Sequence, residues 1–311
     1  MFENLVDFYP VQKPSKTVAN QNIQKMKGII KNFLKDQFLI LKIRNRFTPS
    51  VQIQQRQLYL KYQELLKKND LPSISETGFR VFSQFEEDGL ILFIFSVIGM
   101  DNKIFIEIGS DDGINSNSAN LYFNFGWRGL FIDGNPKSIK RGKKFFNKYP
   151  HPWFYKPKFK CAKVTRENVN ELIEESGFKG EIGLLSIDID GNDYWVWDAI
   201  DVISPKVVII ETHIEFGLKN IVVPYDSNYS FPGKHPVYHG ASPIAMNKLA
   251  NKKGYRLVGA NELGFNFIFI KKGISDDLLP EVTVESVLNH PCVEEGHKTF
   301  DPIKDWNYIE G

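Results

Sequence analysis

Cysteine is scarce in this chain: Cys161 and Cys292 are the only two in 311 residues. That excludes a disulfide framework and a cysteine-rich metal site. Long apolar runs are missing as well. The longest, Leu90–Met100, is too short to cross a bilayer. The opening MFENLVDFYP has neither the basic n-region nor the apolar h-region of a signal peptide, so a cytoplasmic location is expected. Net charge is only +2, which argues against a nucleic-acid footprint over the whole protein. Also absent is G-x-G-x-x-G, the loop a dinucleotide pyrophosphate needs, and this counts against a nucleotide-dependent oxidoreductase.

What is present is organised around residues 104–136, IFIEIGSDDGINSNSANLYFNFGWRGLFIDGNP. The apolar run Ile104–Ile108 suits a strand buried on both faces. Gly109 and Gly113 bracket a turn where the backbone must bend sharply or admit a ligand. A helix is expected to start near Asn115–Ser118 and to end at Gly126-Trp127-Arg128-Gly129. Leu130-Phe131-Ile132 reads as a second buried strand with Asp133 at its tip, 26 residues after Glu107. In open α/β sheets ligands bind beyond the carboxyl ends of the strands, where an acid can accept both ribose hydroxyls. The loop G-S-D-D-G repels phosphate and suits a positively charged nucleoside such as S-adenosylmethionine. A Rossmann-like unit with an acidic, ligand-free loop is the plainer alternative.

E-I-G-S-D-D-G-I-N-S-N followed by G-W-R-G-L-F-I-D-G-N-P resembles the cofactor signature of FkbM-type S-adenosylmethionine-dependent methyltransferases. S-Q-F-E-E-D-G upstream, then L-L-S-I-D-I-D-G-N-D-Y-W-V-W, and then Y-H-G-A-S with G-Y-R-L-V-G, follow in that family's order over residues 80–272. The resemblance implies a Rossmann-like class I methyltransferase fold, an α/β architecture with a seven-strand, mostly parallel sheet and an antiparallel final strand. It implies S-adenosyl-L-methionine as cofactor, held by Glu107, Gly109, Asp111 and Asp133 together with Asp112, Gly113, Asn117, Asn135 and Asp188. Gln84 and Asp88 are implied at the methionine end, although helix capping explains the S-Q…D piece equally well. The implied acceptor is a sugar, glycan or other small hydroxylated molecule. No acid stands near the end of the expected third strand, Lys160-Cys161-Ala162-Lys163, where such enzymes often meet adenine.

Strand four, Ile182–Ile187, runs into Asp188-Ile189-Asp190-Gly191-Asn192-Asp193. Three aspartates at a strand tip rarely serve packing, because burying each is costly. They admit three roles: a cradle for the sulfonium and ammonium or a general base, ligation of a divalent cation such as Mg²⁺ by Asp188 and Asp190, or turn capping. Strand five, Pro205–Ile210, ends in Glu211-Thr212-His213, where the resembled family often has Asn in place of His213. Asp188, His213 and His239 are the catalytic candidates, in that order. The long stretch Glu215–His235 has the length of a lid or substrate wall.

Three regions are expected. Residues 1–76 form a helical appendage, 77–272 the cofactor-binding domain and 273–311 a tail without a readable motif. Residues 1–69 carry 13 Lys/Arg against 4 Asp/Glu. Helical spacing over Asn20–Arg46 and Val51–Lys68 makes this region basic and amphipathic. It suits peripheral membrane contact, or else docking on its own domain or on a second copy in a homo-oligomer. Lys140, Arg141, Lys143 and Lys144 read as a solvated charge run. A non-catalytic Rossmann-like binding or scaffolding protein is the alternative to the methyltransferase.

Overall fold

The computed structural model describes residues 45–148 and 155–311. The helix expected over Asn20–Arg46 lies outside them, apart from its last two residues. The centre of the molecule is a seven-stranded sheet of order β3-β2-β1-β4-β5-β7-β6. Its strands are β1 (Ile104–Ile108), β2 (Arg128–Asp133), β3 (Lys158–Cys161), β4 (Gly180–Ile187), β5 (Ile203–Glu211), β6 (Tyr255–Ala260) and β7 (Asn266–Lys271). All neighbouring pairs from β3 to β5 are parallel, and only β7 runs against both of its neighbours. This is the Rossmann-like class I methyltransferase fold that the motifs imply. The two apolar strands β1 and β4 lie at its middle because both of their faces must be covered.

On one face, Ile106, Ile108, Leu185 and Ile187 join a core with Val196, Trp197, Met246 and Leu249. On the other, the helix Glu87–Ile98 brings Phe93 and Phe95, which are 1 % exposed. The Trp127 ring meets Phe95 edge-on at 4.7 Å and covers Gly183, where a Cβ would sit 2.5 Å from the indole. The helix Pro49–Lys67 opens at Pro49, a good first helical residue, where the sequence suggested a break. Its Tyr62 packs edge-on against Phe93 at 5.1 Å, and Gln55 exchanges hydrogen bonds with Asn120 at 3.1 and 2.8 Å. Residues from Gln52 onward belong to the same compact unit as the sheet.

Several helices begin later than capping signals alone predict, because acids reach back over the preceding turn. The helix expected at Ser83 starts at Glu87. Asp88 accepts the N–H groups of Val81, Phe82 and Ser83 at 2.7, 2.5 and 2.8 Å. Burial pushes its carboxyl up to about 6 despite these donors. The helix Val169–Glu175 likewise starts a turn after Thr165, and there an amide takes the acid's place, Asn168 Oδ1 accepting the Thr165 N–H at 2.8 Å.

The stretch after β7 also packs into the molecule. Helix Pro291–Phe300 and the turn after it place Phe300 and Ile303 with Phe216 and Val223 in a small second core. Val222 forms antiparallel backbone bridges with Ala241 and with Ile309. Trp127→Ala should cost about 3–5 kcal/mol, the usual range for emptying a buried aromatic site. Urea unfolding followed by circular dichroism measures this.

Candidate functional site

The parallel register aligns the carboxyl ends of β1, β2, β4 and β5 along one edge of the sheet. Gly109 leaves β1 at φ +85°, and a Cβ there would lie 1.5 Å from the Asp188 carbonyl oxygen. Only glycine lets the two strand ends pass so closely. The N–H groups of Gly109 and Ser110 donate to the Ile132 carbonyl at 2.9 and 3.2 Å, which ties the loop to β2.

Glu107 is 6 % exposed, and it holds the loop from beneath. Its carboxylate accepts the Ser116 hydroxyl at 2.7 Å and the N–H groups of Asn117 and Ser118 at 3.2 and 3.0 Å. These bonds delay the helix to Ala119. Burial raises its pKa, and the bonds only partly offset that. Asp112 is also buried. It accepts the Ile114 N–H at 3.0 Å and pairs with Arg141 at 2.5 Å. Arg141 reaches Asp111 as well, at 2.9 Å. Arg141 therefore leaves the solvated run and neutralises part of the acidic loop.

Above the loop lies a cavity of about 550 Å³. Gly109, Asp111, Asp133, Asn135 and Asp188 line it, as do Lys163, Asp190, Asn192, Tyr229 and Phe231. Of the other residues implied for cofactor binding, Glu107, Asp112, Gly113 and Asn117 build the loop behind this wall. Gly113, at φ +70°, packs on the Phe131 ring, and Asn117 donates to the Ser186 hydroxyl at 3.1 Å. Gln84 is exposed and does not line the cavity. Asp133 is fixed by two backbone donors, Asp111 N–H at 2.8 Å and Asn135 N–H at 2.7 Å. Its pKa is raised, chiefly by burial, with Asp111 and Asp112 adding to the effect.

The aspartates after β4 divide by role. Asp193 is 2 % exposed and caps the turn by accepting the N–H groups of Ile189 and Gly191 at 2.8 and 3.0 Å. Asp188, Asp190 and Glu211 form a separate group, with one carboxylate oxygen from each within 4.8 Å of the others. None of the three meets a cation among the described residues, and Glu211 Oε2 is buried without a hydrogen-bond partner. Burial and the neighbouring charges of Asp193, Asp190, Glu107 and Glu87 raise the Asp188 pKa. Burial, then Asp188, Asp193, Asp190 and Glu215, raises that of Glu211. Like charges this close resist joint ionisation. Three oxygens at this separation fit a hard cation's needs, with Glu211 joining the two aspartates that the sequence singled out.

His213 and His239 come together, their rings 4.0 Å apart and edge to face. His213 Nδ1 lies 3.5 Å from Glu215. His239 is pushed down to about 3, first by burial and then by His213, so its imidazole is neutral. Neither histidine lines the first cavity. His239 lines a second one, of about 510 Å³, which shares Asn192, Tyr229 and Ser230 with the first. Tyr229 escaped the sequence reading because nothing distinguishes it within a long aromatic loop. Arg141 was hidden among lysines at neighbouring positions.

No protein-family model and no curated protein matches this chain, so the FkbM resemblance rests on the motifs quoted above. Among solved structures it is similar to an O-methyltransferase from Bacillus cereus in complex with S-adenosylhomocysteine, at 13 % identity and a TM-score of 0.39, covering 68 % of this chain and 90 % of that one. It is similar to a putative caffeoyl-CoA O-methyltransferase from Staphylococcus aureus at 15 % identity and 0.41, covering 76 % and 99 %. It is also similar to spermidine synthase from Thermotoga maritima, at 14 % identity and 0.36, covering 65 % and 70 %. At these identities the likeness is one of fold.

The acid group sets a pH dependence. A carboxyl whose folded pKa lies above its unfolded value keeps a proton that the unfolded chain has lost, so the folded state weakens as pH rises from the unfolded value through the folded one. Glu211→Gln should therefore raise the thermal midpoint of the ligand-free protein at pH 8. The gain should shrink toward zero at pH 4, below the unfolded carboxyl value, where both states hold the proton. Differential scanning fluorimetry at the two pH values reads the difference.

Proposed function

We propose that this chain is an S-adenosylmethionine-dependent methyltransferase acting on oxygen, with a sugar, glycan or other small hydroxylated molecule as acceptor. The observation that carries the reading is the first cavity itself. Asp133 stands at the β2 tip with its carboxylate held by two backbone N–H groups. Across the cavity stand Asp188 and Asp190, neither in an ion pair among the described residues, and against the acids Asp111, Asp133, Asp188 and Asp190 the lining sets the single basic residue Lys163. Asp133 fits the ribose hydroxyls, and the unneutralised acids favour a sulfonium nucleoside over a phosphate. Gly109 lets the ligand approach the backbone, and Asp111, Asn135 and the loop held by Glu107, Asp112 and Asn117 shape its bed.

The chemistry is an in-line displacement. An acceptor oxygen forms a bond to the methyl carbon while the carbon–sulfur bond breaks, and sulfur keeps the electron pair. The electrophile arrives activated, so positioning supplies most of the rate. The acceptor proton needs a base, and a carboxylate titrating near pH 8 is matched to that task. Asp188, pushed up to about 8, is the group we assign to it. Its affinity for a proton falls when the sulfonium arrives, so cofactor affinity should rise with pH through this range.

A second reading of the same acids is favoured by Asp188, Asp190 and Glu211 lying within 4.8 Å of one another. A divalent cation held there would polarise and orient the acceptor hydroxyl. Activity that survives dialysis against a strong chelator rejects this version. Activity that is lost and then restored by Mg²⁺ supports it.

Calorimetric titration should show binding of S-adenosylhomocysteine and no response to NAD. Asp133→Ala should weaken that binding about 10- to 100-fold, the value of hydrogen bonds to a charged group. Unchanged affinity would contradict the ribose assignment. A folded protein that binds neither ligand would favour the scaffolding alternative.

A further inference from the structure

The second cavity is closed by pieces that no cofactor role explains. Its walls come from Gly191 and Asn192 in the turn after β4, from the loop after β5 and from Asn307 near the C-terminus. The C-terminal segment is fixed there: Tyr238 donates its hydroxyl to the Asn307 carbonyl at 2.5 Å, the Trp306 ring meets Tyr238 edge-on at 4.7 Å, and Ile309 bridges to Val222. Tyr229 separates the two cavities and lines both. Its ring fits over Gly191 and Gly233, where a Cβ would come within 2.5 and 2.6 Å of it.

The hydrogen bonding of this cavity is unbalanced in one place. The Tyr225 and Tyr238 hydroxyls have partners, in Glu167 and the Asn307 carbonyl. Asn192 donates to the Asp226 carbonyl at 2.9 Å. Tyr229 Oη and His239 Nδ1, by contrast, are buried with no partner. Their rings lie 5.8 Å apart, and His239 itself is 4 % exposed. Burying a polar group without a partner costs stability, and here both atoms belong to residues that line the cavity, where a hydroxylated occupant would supply the missing bonds. The two fully charged side chains of the cavity, Asp226 and Lys234, are opposite in sign and exposed, which selects for an uncharged occupant. Aromatic faces beside amide and hydroxyl groups fit a ring that carries hydroxyls.

We propose that this second cavity is the acceptor site of the methyltransferase proposed above. Tyr229 Oη and His239 Nδ1 hold the reacting hydroxyl at the junction with the cofactor cavity, and the C-terminal segment around Asn307 forms the wall that selects the acceptor. The inference rests on the methyltransferase reading, and its test separates the two.

The test uses the full chain with S-adenosylmethionine and a panel of p-nitrophenyl monosaccharides as uncharged, hydroxylated ring probes. Release of S-adenosylhomocysteine gives turnover, and calorimetry gives S-adenosylhomocysteine affinity. The wild type is expected to methylate at least one probe. Tyr229→Phe should lower kcat about tenfold or more through loss of one hydrogen bond to the reacting group. Asn307→Leu should raise the acceptor KM with kcat little changed. Asn307→Leu should bind S-adenosylhomocysteine within about twofold of wild type, which also shows that it folds, and an unchanged thermal midpoint shows that Tyr229→Phe, which lines both cavities, folds as well. Acceptor kinetics unchanged in both variants would overturn the assignment. So would a wild type that binds S-adenosylhomocysteine yet turns over no probe. A wild type that does not bind S-adenosylhomocysteine at all defeats the methyltransferase reading first, and this one with it.

Discussion

The parallel pairing of β1 with β4 is the constraint on which the rest depends. Ile108 pairs with Ile187, so the two chains leave the sheet side by side, and Gly109 must pass the Asp188 carbonyl with no Cβ between them. That crossing fixes the loop on one side and the acidic turn on the other. The loop is then held by Glu107 from below and by Arg141 from the side. The turn is held by Asp193. The remaining acids, Asp133, Asp188, Asp190 and Glu211, stand along one edge with most of their charge uncompensated.

The acids of this edge thus do two kinds of work. Glu107, Asp88 and Asp193 accept backbone N–H groups and act as internal caps, so their charge serves the geometry of turns. Asp188, Asp190 and Glu211 lack that compensation, and burial among neighbouring acids raises the pKa values of Asp188 and Glu211, an arrangement that lowers stability and is typical of sites that bind or react. Arg141 marks the border between the two sets. It neutralises Asp111 and Asp112 and leaves the acids across the cavity unpaired.

Much of this was legible in the sequence. Short apolar runs gave β1, β2, β4 and β5. The acids at the strand tips could be placed because a strand's end is one of the few positions where chain order fixes a point in space. Helix starts were misplaced by two to four residues, because Asp88, Glu107 and Asn168 cap backward over a turn and local patterns favour the nearest Ser or Thr. Sorting Asp193 from Asp188 needed hydrogen bonds that only the folded turn defines. Tyr229 and Asn307 were beyond reach, since they line one cavity from positions 78 apart in sequence, in a loop and a tail without periodicity.

The pairing of Val222 with Ile309 carries a consequence for how such a protein can diverge. The sheet and its glycine loop constrain one another tightly, so changes there are rarely neutral. The wall around Asn307 is held instead by that bridge, by the Tyr238–Asn307 hydrogen bond and by the Trp306–Tyr238 contact. Replacements of exposed tail residues such as Asn307 would therefore reshape the second cavity while leaving the β1–β4 crossing as it is.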